Sequence, residues 1–221
     1  YRIKKIVLDA GHGGKDIGCH GGHKNEKTVA LAIVLKLGAY IENEFPDVKI
    51  VYTRDKDVFI PLFERTDIAN QAKADLFISV HCNAMPNPKK NGGIYGTETY
   101  TLGLHKVESN FEVAKRENKS ILLEKDYLKN YGGFDPSSPV SHIMLSQFQR
   151  GFMEQSIKFA EKVERKFATV AKRKSKGVKQ AGFLVLHQAA MPSVLIESGF
   201  LSNEDEDEFL STAAGQDKIA Y

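Results

Sequence analysis

Four polar side chains lie at positions where an α/β protein commonly carries its chemistry. His12 stands in the glycine-rich stretch AGHGGKDIG after an apolar run, and His81 closes the apolar run DLFISVH. Glu197 ends a third apolar run, SVLIE, and Glu26 lies in the first turn of a predicted helix. Two neutral imidazoles and one carboxylate can hold a zinc ion and leave one position open. The other carboxylate could accept a proton from water and pass it to a leaving amine.

The elements that must position these residues indicate an α/β fold. Apolar, β-branched runs predict strands at 3–9, 48–53 and 75–81, and apolar residues at helical spacing predict helices at 25–45 and 61–72. This order is typical of a parallel sheet covered by helices on both faces. Parallel strands end at one edge of such a sheet, so the residues that follow them meet there.

The rest of the chain contains further elements and one unusual segment. Residues 103–140 are rich in charge and end in the breaker-rich sequence NYGGFDPSSP, while KRKSKG at 172–177 indicates a solvated basic loop. The sequence QDKIAY resembles the beginning of a final helix. The other patterns predict strands at 92–102, 183–186 and 193–198, and helices at about 106–125, at about 141–172 and after Asn203.

Composition favours a single domain over residues 1–221. Hydrophobic residues make up 42% of the chain, enough for a substantial core, and the net charge is only +3. Because this basic excess is small and no stacking platform accompanies it, a nucleic-acid partner is not expected. No run approaches the roughly 20 apolar residues that cross a bilayer, so no membrane span is expected. We expect a monomer.

Each of the four candidate residues also has an ordinary explanation. A lone histidine in a glycine loop is commonly a turn residue, and a glutamate at a strand end is commonly half of a salt bridge. The spacing does not match the HExxH pattern of helical zinc sites. On the residues alone, a metal hydrolase is only slightly favoured over an α/β domain without a site.

Six motifs in order along the chain together resemble those of a known family. They are similar to motifs of the zinc-dependent N-acetylmuramoyl-L-alanine amidases, the type 3 cell-wall hydrolases. The resemblance extends from residue 6 to about residue 210, and only residues 103–140 fit it loosely. Several ordered motifs are more specific than any one alone. They are GHGGKDIG, NEK at 25–27, TR at 53–54, RTDIAN at 65–70, ADLFISVHCNA and PSVLIESGFLSN.

The resemblance implies a fold, a metal site and a reaction. The implied fold is a three-layer α/β sandwich, with a mostly parallel twisted sheet between two layers of helices. The ligands of one Zn²⁺ ion fall on His12, Glu26 and His81, and the catalytic glutamate falls on Glu197. The implied reaction hydrolyses the amide between N-acetylmuramic acid and L-alanine in peptidoglycan, which releases stem peptides from glycan strands. A periplasmic or secreted protein is therefore expected.

The 103–140 segment resembles a regulatory insertion of the division-associated members. In those proteins a helix-borne glutamate fills the open zinc position until an activator with a LytM-type domain displaces it. We expect Glu117, ahead of Glu124, to reach the metal here; in the alternative, the helix packs elsewhere with both glutamates in solvent. The apolar stripe that would face the cleft comprises Val107, Phe111, Ala114, Ile121 and Leu122.

Two cysteines depart from the family pattern, which commonly has alanine at the positions of Cys19 and Cys82. A single bridge between them and two free thiols both remain open. Thiols are good zinc ligands, but adjacent strand residues point to opposite faces, so Cys82 should point away from a site that His81 enters. By the same alternation Asn83 shares the side of His81, where it could contact substrate or orient the site.

Several other residues receive interpretations of their own. Arg54 and Arg65 match family positions and are interpreted as structural, pairing with buried carboxylates or carbonyls. His187 ends a predicted strand, where it either lines the cleft or has no role. The remaining histidines are predicted in loops; they are His20, His23, His105 and His142.

Three functions remain to be distinguished. The first is the peptidoglycan amidase, the second is a zinc peptidase or amidase acting on a soluble peptide, and the third is a non-catalytic peptidoglycan-binding module. A binding module has no need of Glu197, so the presence of all four candidate residues argues against it. Products formed from muropeptides separate the first two.

Overall fold

A six-stranded sheet forms the middle layer of the protein. The computed structural model describes residues 2–85, 93–104, 107–146 and 151–221. The strand order in the sheet is β2-β1-β3-β6-β4-β5. The strands are β1 (Lys5–Ala10), β2 (Lys49–Tyr52), β3 (Leu76–Asn83), β4 (Thr97–Leu102), β5 (Ser175–Ala181) and β6 (Ser193–Phe200).

Helices cover both faces of this sheet, as predicted. They are α1 (Glu26–Glu44), α2 (Leu62–Gln71), α3 (Glu108–Asn118), a 3₁₀ helix (Lys119–Leu123), α4 (Tyr127–Asn130), α5 (Pro139–Ser146), α6 (Met153–Thr169), α7 (Leu184–His187), α8 (Glu204–Ser211) and α9 (Ala213–Ala220). One apolar cluster joins the sheet to α1, α6, α8 and α9, and a second joins its other face to α2, α3, α5 and α7. Each cluster removes apolar area from water, which is the main favourable term in folding.

Two strands of the sheet, β4 and β5, run against the other four. Strands β1, β2, β3 and β6 pair in parallel, whereas β4 pairs antiparallel with β6 and parallel with β5. Glu98, near the start of β4, therefore lies opposite Glu197 of β6. Strand β4 begins beside the carboxyl end of β6 and runs antiparallel to it. The chain therefore leaves β4 at the amino-terminal end of β6. Helix α3, about 16 Å long, brings it back to the edge where it started.

The predicted strand at 183–186 is wrong, because these residues begin the short helix α7. A short, fully buried apolar run has no periodicity that separates strand from helix. The basic loop predicted at 172–177 is also wrong in part, because β5 begins at Ser175. This strand lies at the edge of the sheet, where lysines are common and alternating burial is weak.

The two longest predicted helices are each divided. The helix predicted at about 106–125 is α3 followed by the 3₁₀ helix, and residues 105–106 lie outside the described residues. The helix predicted at about 141–172 is α5 and α6, separated by a bend at Gly151 and Phe152, with 147–150 not described. Glycine at 151 is unfavourable inside a helix. His142 lies within α5 and is buried, so its prediction as a loop residue is wrong.

A buried ion pair fixes the loop that carries His12. The Arg65 guanidinium is fully buried and donates to Asp9 Oδ1 at 2.8 Å and to the His12 carbonyl at 2.8 Å. Asp9 also accepts hydrogen bonds from the hydroxyls of Thr53 and Ser79. Arg54 donates to backbone carbonyls of the same loop, including that of Gly11 at 2.7 Å. The structural interpretation of both arginines is confirmed.

None of the helices in the described part of the chain is both long and apolar enough to cross a membrane.

Candidate metal centre

Four buried side chains from four parts of the chain meet at the carboxyl edge of the sheet. His12, Glu26, His81 and Glu117 each offer one ligand atom, and these four atoms lie within 4.8 Å of one another. His12 comes from the loop after β1, Glu26 begins α1, His81 ends β3, and Glu117 lies in the last turn of α3. The structure thus brings together the three predicted ligands and one of the two candidate glutamates of the insertion.

The His12 side chain is oriented by a carboxylate behind it. Its Nδ1 lies 2.9 Å from Asp16 Oδ2, so a proton on Nδ1 leaves the lone pair of Nε2 for the site. Nε2 is buried and makes no hydrogen bond within the described residues, although oxygens of Glu26 and Glu117 lie 3.1 and 3.0 Å from it. Burial alone lowers the pKa of His12, but these three carboxylates outweigh it and raise the pKa well above its ordinary value.

Glu26 is held in the cluster through both of its oxygens. Its Oε2 accepts from the backbone N–H of Cys19 at 2.8 Å, and its Oε1 accepts from that of Cys82 at 2.9 Å. Oε1 also lies 3.0 Å from Nδ1 of His81. Burial raises the pKa of Glu26, yet the positive charge of His12 prevails and lowers it well below its ordinary value. The carboxylate is therefore ionised in a fully buried position.

His81 completes the cluster from β3. Its Nδ1 lies between the two carboxylates, 3.0 Å from Glu26 Oε1 and 3.1 Å from Glu117 Oε2. Burial lowers the pKa of His81, but the hydrogen bond and negative charge of Glu117 outweigh it and raise the pKa to about 9. Both histidines are thus drawn towards the cationic form by carboxylates that a metal ion would otherwise neutralise.

The donor set fits a zinc ion. A tetrahedral ion with bonds of 2.0–2.1 Å places its ligand atoms about 3.3 Å apart. Each imidazole nitrogen lies 3.0 to 3.1 Å from its nearest oxygen of Glu26 and of Glu117, slightly less than this value, with Glu26 using a different oxygen for each histidine. Buried Nε2 of His12 and Oε2 of Glu117 have no hydrogen-bond partner in the described chain, as expected of atoms whose partner is a cation. Imidazole and carboxylate ligands also suit zinc chemically.

The loop that carries His12 needs glycine at two positions because its backbone passes very close to the side chains of His81 and Glu26. A Cβ added at Gly11 would lie 2.4 Å from Cε1 of the His81 ring. At Gly18, where φ is +67°, it would lie 2.5 Å from Oε2 of Glu26. The glycines on either side of His12 thus allow the loop to fold directly against the other two predicted ligands.

Gly11→Ala is therefore expected to weaken metal binding, because the new methyl group displaces the His81 ring. Gly93→Ala is the matched control, since no atom lies within 4 Å of a Cβ at that position. Zinc titration of the metal-free proteins, followed by isothermal calorimetry, should give at least a tenfold weaker affinity for Gly11→Ala only. Equal affinities in both variants would show that the close approach has no bearing on the metal.

Glu197 lies beside the cluster and has an unusual environment. It stands opposite His81 in the register of β3 and β6, and its side chain is fully buried. Neither carboxylate oxygen has a hydrogen-bond partner among the described residues. Burial, followed by the negative charge of Glu117, raises the pKa of Glu197 well above its ordinary value. A carboxyl group so placed is free to exchange protons with a molecule in the site.

The insertion covers this centre with the end of α3 and the 3₁₀ helix. Arg116 of α3 also enters the site, where its Nη2 lies 3.7 Å from Glu197 Oε1. Glu124 does not approach the ligands, because it accepts hydrogen bonds from the Leu62 backbone and the Tyr131 hydroxyl. In the predicted apolar stripe Phe111, Ala114 and Ile121 are buried but Val107 and Leu122 are exposed, so the stripe is only partly correct.

Three residues around the centre were not identified from the sequence. Asp16 orients His12, Arg116 contacts the strand ends, and buried Glu98 lies opposite Glu197. Asp16 follows the histidine by four residues inside the glycine loop, a local signal that could have indicated it. Glu98 and Arg116 have no local signal, because their positions depend on the reversed direction of β4 and the return of α3.

Both cysteines are free thiols. Cys82 packs in the apolar core behind the sheet, and burial raises the pKa of its thiol well above the ordinary value. The predicted orientation of Cys82 away from the ligands is confirmed, since it is not part of the ligand group. Cys19 is half-buried against the same core. Each cysteine contributes its backbone N–H to Glu26 instead.

The other histidines that the structure describes do not join the ligand group. His23 pairs with Asp207 at 2.8 Å. His187 lies in α7, not at a strand end, and burial lowers its pKa. His20 lies in the glycine loop and forms an isolated bridge with Asn25. His105 lies outside the described residues.

Known proteins resemble this chain over nearly its whole length. Residues 6–221 match the family model described as N-acetylmuramoyl-L-alanine amidase (Amidase_3). The chain is 35% identical over 219 residues to N-acetylmuramoyl-L-alanine amidase AmiC of Escherichia coli O6:H1, covering 97% of this chain and 50% of that protein. It is 33% identical over 218 residues to AmiA of Escherichia coli K12, covering 97% of this chain and 72% of AmiA.

A solved structure shares the fold. The crystal structure of N-acetylmuramoyl-L-alanine amidase from Clostridium difficile 630 aligns with a TM-score of 0.72 and 24% identity, covering 99% of this chain and 91% of that one. The three-layer sandwich is therefore the fold of these catalytic domains. The chain spans only half the length of AmiC from Escherichia coli O6:H1. With the family model matched over nearly its whole length, the chain belongs to the N-acetylmuramoyl-L-alanine amidase family.

Proposed function

We propose that this chain is a zinc-dependent amidase that cleaves the bond between N-acetylmuramic acid and L-alanine in peptidoglycan. His12, Glu26 and His81 act as metal ligands, and Glu197 acts as general base and then general acid. The observation that carries the proposal is the buried carboxylate of Glu197, which has no hydrogen-bond partner among the described residues and lies directly opposite His81 in the sheet. Membership of the amidase family supports the choice of reaction.

The residues divide the chemistry between them. A zinc ion held here supplies a Lewis acid that activates water near neutral pH and polarises the scissile carbonyl. Glu197 accepts a proton as water forms its bond to the carbonyl carbon, and returns it to the alanine nitrogen as the C–N bond breaks. The environment that raises the pKa of Glu197 suits a group that must hold that proton between the two steps.

The proposal extends to the organisation and location of the protein. Residues 1–221 form one catalytic domain, with residues 103–140 as a regulatory insertion. Peptidoglycan lies outside the inner membrane, so the enzyme acts in the periplasm or outside the cell. The activity of any longer protein that contains this chain is part of the same proposal.

Product analysis together with metal content tests the proposal. Purified protein should bind one zinc ion per chain and should release intact stem peptides from muropeptides. His81→Ala should lose both metal and activity, and chelation followed by added zinc should abolish and restore cleavage. Cleavage within the peptide would indicate the alternative zinc peptidase. Binding of peptidoglycan without products would indicate the non-catalytic module.

We further propose that the insertion is autoinhibitory and that Glu117 is its inhibitory ligand. Glu117 Oε2 lies 3.0 Å from His12 Nε2 and 3.1 Å from His81 Nδ1, so it occupies the fourth position of the ligand group. Ser120 of the 3₁₀ helix donates to Asp16 at 2.8 Å and adds a second contact. With the fourth position filled by protein, the site has no room for water and substrate.

Glu117→Ala is expected to raise the basal rate on purified peptidoglycan about tenfold or more, since coupling energies of this kind are typically 5- to 150-fold. The rates should be measured at saturating zinc, because the variant also loses a ligand. Glu112→Ala is the matched control, because it removes a carboxylate of the same helix that pairs with Lys115 at the surface. A Glu117→Ala rate no higher than that of the control would contradict autoinhibition.

An activator is proposed to act on the exposed side of the insertion. Large apolar side chains are exposed there, with Leu122 at 51%, Leu128 at 60% and Val140 at 64%. Exposed apolar groups concentrated in one segment commonly mark a surface that binds another protein. An activator with a LytM-type domain, as the family resemblance implies, would bind this segment and withdraw Glu117 from the centre.

A further inference from the structure

Arg116 contacts Glu117 through Nε, and its other two guanidinium nitrogens make separate contacts within the site. Its Nη1 donates to the carbonyl oxygen of Ala84 at 2.8 Å, and its Nη2 donates to Oδ1 of Asn83 at 3.0 Å. The same Nη2 lies 3.7 Å from Oε1 of Glu197. Nη2 of Arg116, which carries N–H groups, thus lies between Oδ1 of Asn83 and the carboxyl group of Glu197. In the proposed reaction that carboxyl group protonates the leaving nitrogen.

We propose that Arg116 occupies the subsite of the scissile amide, and that Asn83 Oδ1 and Ala84 O are the acceptors that bind backbone N–H groups of the stem peptide. In the open enzyme Asn83 Oδ1 accepts the N–H of the lactyl–alanine amide, and Ala84 O accepts the next N–H along the peptide. This inference rests on the proposed amidase reaction and adds the substrate groups that the site recognises.

The position of Nη2 matches what the reaction needs of the alanine nitrogen. That nitrogen must lie near Glu197 to receive a proton, and its own N–H must meet an acceptor once water is excluded from the site. Asn83 Oδ1 is such an acceptor. Its hydrogen bond would hold the amide so that the nitrogen lone pair, which becomes available once the carbonyl carbon is tetrahedral, faces the carboxyl group and takes up its proton as the C–N bond breaks.

The orientation of the Asn83 amide is fixed from behind. Its Nδ2 donates to Oε2 of Glu98 at 3.2 Å, and Glu98 in turn accepts from the Tyr100 hydroxyl at 2.8 Å and from Lys179 Nζ at 2.6 Å. The Ala84 backbone N–H donates to Asn83 Oδ1 at 2.8 Å. Because a carboxylate can only accept, the nitrogen of the amide must face Glu98 and the oxygen must face the site. Glu98 is therefore a positioning residue.

Space for a peptide adjoins these acceptors. A pocket of about 540 Å³ reaches the surface beside the metal ligands and is bordered by Ala84, Arg116 and Glu117, with Leu122 and Leu123 on its outer wall. Its volume lies within the range of ligand pockets. Withdrawal of α3 would clear the Arg116 guanidinium from the two acceptors and would join them to this pocket.

The test replaces one N–H of the substrate by oxygen. An N-acetylmuramoyl peptide and its analogue with an ester at the lactyl–alanine linkage are compared in the Arg116→Ala/Glu117→Ala background, with and without Asn83→Ala. Loss of Asn83 should lower kcat/KM for the amide about 3- to 10-fold, as expected for one neutral hydrogen bond, and should change that for the ester less than twofold. Zinc content should be the same in all variants.

The outcomes separate this inference from the proposed function. An equal loss on amide and ester would overturn the role of Asn83, because a merely structural residue affects both substrates alike. Hydrolysis of neither substrate by the background variant would count against the amidase itself. Equilibrium binding of the amide and the ester to the Glu197→Gln variant in the same background then tests the role of Asn83 without catalysis. Tighter binding of the amide than of the ester only when Asn83 is present supports it, and equal binding overturns it.

Discussion

Glu197→Gln is expected to lower the rate of muropeptide cleavage by about 10²- to 10⁴-fold, the usual contribution of a general acid–base group. Glutamine has the same shape but can neither accept a proton from water nor return one to the leaving nitrogen. No hydrogen bond of the described structure is lost, because neither oxygen of Glu197 has a partner. Zinc content and the free energy of unfolding should therefore stay near the wild-type values, which elemental analysis and urea denaturation can measure.

Glu164→Gln is the matched control for this experiment. Glu164 is also a buried glutamate packed against the sheet, but it accepts hydrogen bonds from the hydroxyls of Thr97, Thr99 and Ser175, away from the ligands. This variant should lose stability and keep its activity per folded molecule. A Glu197→Gln enzyme whose rate remained within tenfold of wild type would remove Glu197 from the catalytic role.

Asp9→Asn is expected to reduce the free energy of unfolding by about 3–5 kcal/mol, because it leaves the Arg65 guanidinium buried without its counter-charge. Both side chains are inaccessible to solvent, so water cannot take over the role of the carboxylate. Arg65 also donates to the His12 carbonyl, so part of the damage should reach the metal loop. Urea unfolding gives the stability change, and zinc titration gives the effect on the site.

The exposed ion pair of Arg2 and Asp47 provides the control. The pH dependence of the free energy of unfolding provides a second measurement. Asp47 is 76% exposed, so Asp47→Asn should change stability little. Burial raises the pKa of Asp9, but the charge of Arg65 and the hydrogen bonds from two hydroxyls outweigh it. The pKa of Asp9 therefore lies below its ordinary value of 3.8. The stability contributed by Asp9 is thus present above about pH 4 and is lost as the pH falls through the lowered pKa. A difference between wild type and Asp9→Asn that persisted unchanged in acid would contradict this account.

The parallel part of the sheet and three residues of the candidate centre could be predicted because their signals are local. The run before His81 is apolar except for Ser79, and the run before Glu197 is apolar except for Ser193, as expected of strands covered on both faces. The loop after β1 carries its histidine among glycines whose Cβ atoms would meet the other ligands. Each of these features can be recognised within one continuous segment of the sequence, without knowledge of the tertiary structure.

What depends on relations between distant segments could not be predicted. Strand β5 is a polar edge strand, and its pairing with β4 is set by the reversal of β4 against β6. That reversal also puts Glu98 opposite Glu197 and returns Arg116 to the site. Helical spacing places Glu117 and Glu124 along the same edge of the predicted apolar stripe, so it does not by itself explain the preference for Glu117. The structure adds the reason, because the chain changes to a 3₁₀ helix at Lys119 and directs Glu124 towards α2.

The hydrogen bond from Ser120 to Asp16 ties the insertion to the residue that orients His12. Under the proposed autoinhibition, docking of the insertion and retention of the metal are therefore thermodynamically linked, and each strengthens the other by the same factor. An activator that lifts the insertion must weaken zinc retention to the same extent. The form of the enzyme that is competent for cleavage is then also the form that loses its ion most readily to chelators or competing metals.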